Sequence, residues 1–253
     1  MTAPRLVLRG LGQRHAGRQV LRDVDMVIEP GETVGITGPS GAGKSTLARL
    51  LTLHESPSDG RLEVDGEDCA TWNRARLRER RRLLQLVPPD PGLSFAARWP
   101  LWRVVAEGLL IDGCSHARAR AAALEVLRKV GIEGDGSLSP LQLSGGERRR
   151  AAIARALLAQ SRLLVFDESF AGLDPPRQDE IVDLLRELQA QHGLTLVTIT
   201  HELRLLRRIG GRVLILDAGI AVEDGPAERV LTLPASAAGG RLCAAEYRLE
   251  VPA

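Results

Sequence analysis

Apolar positions recur along this chain in three rhythms. Period-two alternation runs through RLVLRGLGQRH and QVLRDVDMVIEPGE, with a turn at Ala16–Gly17, and predicts paired antiparallel strands. Short unbroken apolar runs predict strands buried on both faces: TVGIT (33–37), LLQLV (83–87), RLLVFDES (162–169), TLVTIT (195–200) and RVLILDAG (212–219). SPSDGRLEVDGED reads as a turn, a strand and another turn. Helical spacing marks about 44–53, 74–82, 99–131, 147–159 and PRQDEIVDLLRELQAQHG, which Gly193 closes. Strands alternating with helices predict an α/β fold whose sheet is mainly parallel and covered on both faces. Residues 90–142 interrupt that alternation, so they are expected to form an inserted helical subdomain within a domain spanning 1–233. The Ala/Gly-rich residues 234–253 carry no predicted element.

Composition narrows the function classes. At 253 residues with net charge +2, charge alone gives no support for nucleic-acid binding. Aromatics at 3% argue against a stacking platform for single strands. Lysine occurs only at positions 44 and 129, against abundant arginine. A lysine kept at 44 points to a compact charge beside phosphate. Cys69, Cys114 and Cys243 are scattered and odd in number, which fits a reducing compartment. The start lacks the apolar core of a signal peptide, and no apolar run is long enough to span a bilayer. Membrane association is therefore expected to go through a partner.

Four motifs carry chemistry. GPSGAGKST comprises Gly38, Pro39, Ser40, Gly41, Ala42, Gly43, Lys44, Ser45 and Thr46. It stands between a strand and a helix, the context of a phosphate-binding loop. Its glycines let amides turn toward phosphate oxygens, Lys44 reaches the β- and γ-phosphates, and Ser45 offers a hydroxyl to Mg2+. Asp167 ends a buried strand, where it would hold Mg2+ through waters, and Glu168 is placed to accept a proton from the attacking water. Ser144, Gly145, Gly146 and Glu147 open a helix with a hydroxyl and bare amides. They form a second anion site that one nucleotide in one subunit does not need, and that a dimer sandwiching ATP does. The plainer reading of that segment is a serine helix cap. His201, after TLVTIT, lies at the same strand edge as Asp167 and is expected to sense the γ-phosphate and orient the water.

These pieces, in this order, resemble the ATP-binding subunit of ABC transporters, over roughly residues 5–230. The resemblance rests on 38–46, LSGGE at 143–147, LLVFDE at 163–168, GLDP at 172–175 and His201. It implies a P-loop NTPase core, ATP and Mg2+ as ligands, and a head-to-tail pair with a second ABC ATPase, identical or not. It also implies permease subunits in the membrane and a substrate-binding protein outside it, with this chain peripheral on the cytoplasmic face. Asp174 matches the loop that crosses the dimer interface, and His15 the position of an adenine-stacking aromatic; a plain turn residue is the other reading of His15. In GETVGITGPSGAGKSTLARLLTLHESPSDG and THELRLLRRIGGRVLILDAG the resemblance is finest to the peptide/nickel importer branch, nickel import subunits in particular. The stretch after residue 230 is shorter than the cysteine-bearing extension of oligopeptide members, so the expected cargo is nickel or a metal–metallophore complex, ahead of peptides.

The chain departs from the family at one place. Val87-Pro88-Pro89-Asp90 aligns with a V-F-Q-D pattern whose glutamine touches Mg2+ and the attacking water, so Pro89 occupies the glutamine's position. Gln85 should lie inside the strand. Proline offers a carbonyl but no side-chain oxygen and no amide. With Lys44, Ser45, Asp167 and Glu168 intact, a slowed but competent site is expected; the alternative is a degenerate subunit whose partner does most of the hydrolysis. The arginines of 74–82 and 148–150 read as solvated helix faces or partner contacts. Chromosome-maintenance ATPases share the motifs, but no heptad coil separates Lys44 from Ser144 here.

Overall fold

In the computed structural model, residues 3–250 are described. In chain order they form β1 (Leu6–His15), β2 (Arg18–Ile28), β3 (Thr33–Thr37), α1 (Lys44–Leu51), β4 (Asp59–Val64), β5 (Glu67–Asp68), α2 (Arg74–Leu83) and β6 (Leu84–Val87). Three helices follow, α3 (Leu101–Val105), α4 (Glu107–Ile111) and α5 (His116–Lys129), then α6 (Gly145–Leu158), β7 (Leu163–Asp167), α7 (Pro175–His192) and β8 (Thr195–Ile199). The chain continues through α8 (Leu203–Ile209), β9 (Arg212–Asp217), β10 (Ile220–Pro226), α9 (Ala227–Thr232) and α10 (Ala237–Glu250).

The strands make two sheets, an antiparallel one of order β2-β1-β4-β5 and a larger one of order β10-β9-β3-β8-β7-β6. In the larger sheet every pairing is parallel except β10 with β9. Its apolar runs alternate faces. Leu163 and Val165 of β7 point into a core with α1 and the antiparallel sheet. Leu164 and Phe166 point into a second core with α3, α5, α6 and α7. Burial on both faces explains why these strands read as continuous hydrophobic stretches. The segment 90–142 carries α3–α5, and their apolar residues are continuous with the core on one face of the sheet.

Two expectations change. The segment 67–68 pairs as the short β5. The stretch after Pro234, for which nothing was predicted, is helical and docks on β9 and α9 through Ala238 and Cys243. Glu223 prepares that docking: its buried carboxylate accepts from the amides of Ala235 and Ser236, both at 2.9 Å, just before α10. Alanine and glycine in α10 gave no strong period to read. Residues 251–253 of the expected tail lie outside the described residues.

Helix boundaries follow local rules. Pro175 and Pro176 occupy the first turn of α7, where no amide is needed, and Gly193 closes it at φ +62. Three arginines of α2 pair with acids of the chain: Arg76 with Glu67 at 2.6 Å, Arg80 with Asp65 at 2.8 Å, and Arg82 with Asp112. Pairs this exposed are screened by solvent and contribute little to stability.

Candidate nucleotide site

The loop from β3 to α1 is shaped by what surrounds it. Gly38 sits at φ +149, and a Cβ there would lie 1.9 Å from the Leu216 carbonyl oxygen of β9. Gly43, at φ +99, would meet Leu21 Cδ2 at 2.6 Å. Glycine is therefore required at both positions. Among the described residues, the amides of Gly43, Lys44, Ser45 and Thr46 find no protein acceptor, and α1 has no side-chain cap. Orphan amides at a helix start with the positive end of its dipole favour an anion. A cleft of about 340 Å³ lies over them, running from Val20 past Ser40, Gly41 and Gly43–Thr46 to Glu168.

Lys44 donates to the carbonyls of Gly38 (2.7 Å) and Pro39 (3.1 Å) across the loop. Burial lowers its pKa, and the carboxylates of Glu168 and Asp167 oppose that. Ser45 Oγ donates to Asp167 Oδ1 at 3.1 Å, joining the start of α1 to the end of β7. Burial raises the pKa of Asp167 against the pull of the Ser45 hydroxyl, Arg49 and Lys44. A hydroxyl and a carboxylate oxygen are hard donors, which suits Mg2+ completed by waters and phosphate oxygens. Among the described residues no group of three or more His, Cys, Asp or Glu could hold a metal.

Glu168 takes φ +48, and its amide donates to Ile199 of β8 at 2.9 Å. Its Oε2 lies 2.9 Å from Nδ1 of His201, which follows the end of the same β8. The parallel register Asp167↔Ile199 brings these residues to one edge.

The prolines end an edge strand. Gln85 is inside β6, paired with Leu164, and its amide donates to Arg81 O at 2.9 Å, so it does not serve the site. Pro89 is exposed just past β6. Ser144 caps α6, accepting from Glu147 N at 3.3 Å while Glu147 Oε2 accepts from Ser144 N at 2.8 Å. The plainer reading of this segment is thus physically present, and none of residues 144–147 lines the cleft of its own chain. Asp174 stands at the start of α7 with Arg177 at 3.3 Å.

His15 is the position that differs most. It ends β1 before a turn through Ala16 and Gly17, and its Nε2 is 3.0 Å from Glu55 Oε2, which also accepts from Gln13, while Arg49 donates to Oε1. His15 does not line the cleft; Val20 does. Val20 carries no chemistry to notice. The β1–β2 hairpin, which returns the chain to the loop, was the available signal for it.

Fold and site together define a P-loop nucleotide-binding ATPase. The ABC transporter family matches residues 21–171, more than half of the chain. The methionine import ATP-binding protein MetN 1 of Rhodococcus jostii (strain RHA1) is 39% identical over 94% of this chain and 70% of its own length. The methionine import ATP-binding protein MetN of Caulobacter vibrioides is 40% identical over 87% of this chain and 66% of its own. The chain therefore spans about two thirds of the length of these relatives. Among solved structures, cbiO1 from Clostridium perfringens, part of the ABC transporter complex cbiONQ, aligns with TM-score 0.82 and 26% identity over 98% of this chain and 95% of that one. A dimeric ATP-binding cassette in a post-hydrolysis state, bound to ADP and Pi, aligns with TM-score 0.77 and 26% identity over 88% and 98%. The chain belongs to the ABC transporter ATPases, as an ATP-binding subunit of the importer kind, with ATP and Mg2+ as the ligands general to that family.

Proposed function

We propose that this chain energises an importer by hydrolysing ATP between its own phosphate loop and the Ser144–Glu147 segment of a second ATPase, at the cytoplasmic face of the membrane. The supporting observation is the edge where Lys44, Ser45, Asp167, Glu168 and His201 meet over the orphan amides of α1, with the segment 144–147 outside that cleft. The loop from Gly38 to Thr46 would hold the phosphates, and Ser45 with Asp167 the Mg2+. When bound, that ion neutralises charge on the β- and γ-phosphate oxygens. Lys44 would leave the Gly38 and Pro39 carbonyls for phosphate oxygens. Glu168, with Oε2 held by His201, would take a proton from water on its other oxygen. His15, held at Nε2 by Glu55 and partly exposed, would offer its ring to the base. Among the described residues no helix is long and apolar enough to cross a membrane, so coupling would go through permease subunits, supplied in turn by a substrate-binding protein.

These relatives are methionine import proteins, a different branch from the nickel and peptide importers expected from sequence. Methionine is accordingly the first cargo to test, ahead of nickel, metallophore and peptide cargo. Purified protein with Mg-ATP is expected to hydrolyse it only with Mg2+ present, and to gain about 2.7 kcal/mol of stability at a hundredfold excess over Kd. Absence of both responses would refute the reading. Reconstitution with its permeases and labelled methionine then tests the cargo.

The intact set of Lys44, Ser45, Asp167, Glu168 and His201 supports a working site over a degenerate one. Pro89→Gln is expected to raise turnover about tenfold, the low end of what one supporting metal contact contributes. Unchanged kcat in that variant would show that the proline does not limit the reaction.

A further inference from the structure

Ser169 is fully buried where the catalytic end of β7 meets the proline turn. Its Oγ lies 2.6 Å from the carbonyl oxygen of Val87, 3.1 Å from that of Pro88 and 3.2 Å from that of Asp167. One hydroxyl has one proton to give, and the shortest contact directs it to the turn. Among the described residues no other donor reaches the Pro88 carbonyl. The reason is covalent: β6 stops at Val87, and Pro88 and Pro89 have no amides with which the turn could tie itself down. The far end of the turn is held by α6. Arg148 faces Asp90 at 3.7 Å, and Arg155 donates to Ser94 Oγ at 3.0 Å with its guanidinium 4.9 Å over the Phe95 ring.

Glu168 stands directly before Ser169 with its backbone in the left-handed region, where a carboxylate residue stays only if its surroundings hold it. Both chain neighbours are tethered, Asp167 to Ser45 and Ser169 to Val87.

We propose that Ser169 is a positioning residue for the hydrolysis: its buried hydroxyl pins the proline turn to the end of β7 and so holds Glu168 at the angle at which its carboxylate meets both His201 and the attacking water. It touches neither nucleotide nor metal. With no side-chain oxygen at position 89, the link between turn and catalytic strand runs from a hydroxyl to main-chain carbonyls. The inference rests on the ATPase reading above.

Steady-state kinetics of Ser169→Ala test it. Turnover is expected to fall about tenfold or more, as on loss of an orienting partner, while KM for Mg-ATP stays within about twofold. Ser169→Cys, nearly isosteric and a weak donor, should fold and give an intermediate kcat, which covers the case in which the alanine variant does not fold. In a Glu168→Gln background the alanine change should cost no further turnover, because residues acting as a unit are not additive. Wild-type turnover in Ser169→Ala, a raised KM with unchanged kcat, or a further tenfold fall in the double variant would each overturn the proposal while leaving the ATPase reading standing. A wild-type chain without Mg-dependent turnover would overturn both.

Discussion

Glu168→Gln is expected to lower ATP turnover by about 10²–10⁴-fold while Mg-ATP binding persists. Glutamine keeps the length of the side chain and an oxygen for the His201 Nδ1 contact, now 2.9 Å. What it loses is basicity, since an amide oxygen does not take a proton from water at neutral pH. The phosphate-binding groups, Lys44 and the amides of α1, are untouched. Thermal stabilisation by Mg-ATP should therefore match wild type, and the variant should accumulate as an ATP-bound dimer on size-exclusion chromatography. Turnover within threefold of wild type would remove Glu168 from the role of base and leave His201 or solvent to be tested in its place.

Gly38→Ala is expected to have the largest effect on the loop itself. The added Cβ would lie 1.9 Å from the Leu216 carbonyl oxygen, a main-chain atom of β9 that cannot rotate away. The positive φ adds strain of about 1–3 kcal/mol, and overpacking about as much again. The loop can escape only by moving off β9, which takes the amides away from the cleft. Differential scanning calorimetry should show a lower Tm, and the shift on adding Mg-ATP should disappear. A variant that melts like wild type and still responds to nucleotide would show that the loop does not need this close approach.

The two effects differ in kind. One removes a proton acceptor from an intact frame, and the other removes the frame that an intact set of side chains depends on. Ser169 stands between them, because it carries no reactive group at the site yet bears on where a reactive group points.

Much of the site was legible because its motifs are local. The phosphate loop is nine consecutive residues between a strand and a helix, and the Asp167–Glu168 pair ends an apolar run. Spacing alone suffices when the chemistry needs neighbours in sequence. The strands of the large sheet were legible for a related reason, since burial on both faces leaves β-rich, mainly apolar runs at 163–167 and 195–199.

Elsewhere the signal was absent or misleading. Ala and Gly in α10 bury little surface each and leave no clear stripe, so the helix after Pro234 gave no reading; its docking depends on Glu223, a dozen residues upstream. Val20, which lines the cleft over the loop from across the β1–β2 hairpin, carries no polar group that a sequence pattern could mark. A serine after two acids carries no message until the carbonyls of Val87 and Pro88, some eighty residues away in sequence, are seen against it.

The order of residues alone determined that this chain curls a glycine loop between a strand and a helix and ends a buried strand in two acids, because those needs are met within a few bonds. Only the tertiary structure decided which contacts the groups from distant segments make at that edge. His201 meets Glu168 because parallel β7 and β8 end together, and Ser169 meets the proline turn because β6 lies beside β7. Such contacts depend on strand order, and strand order is a property of the packed sheet.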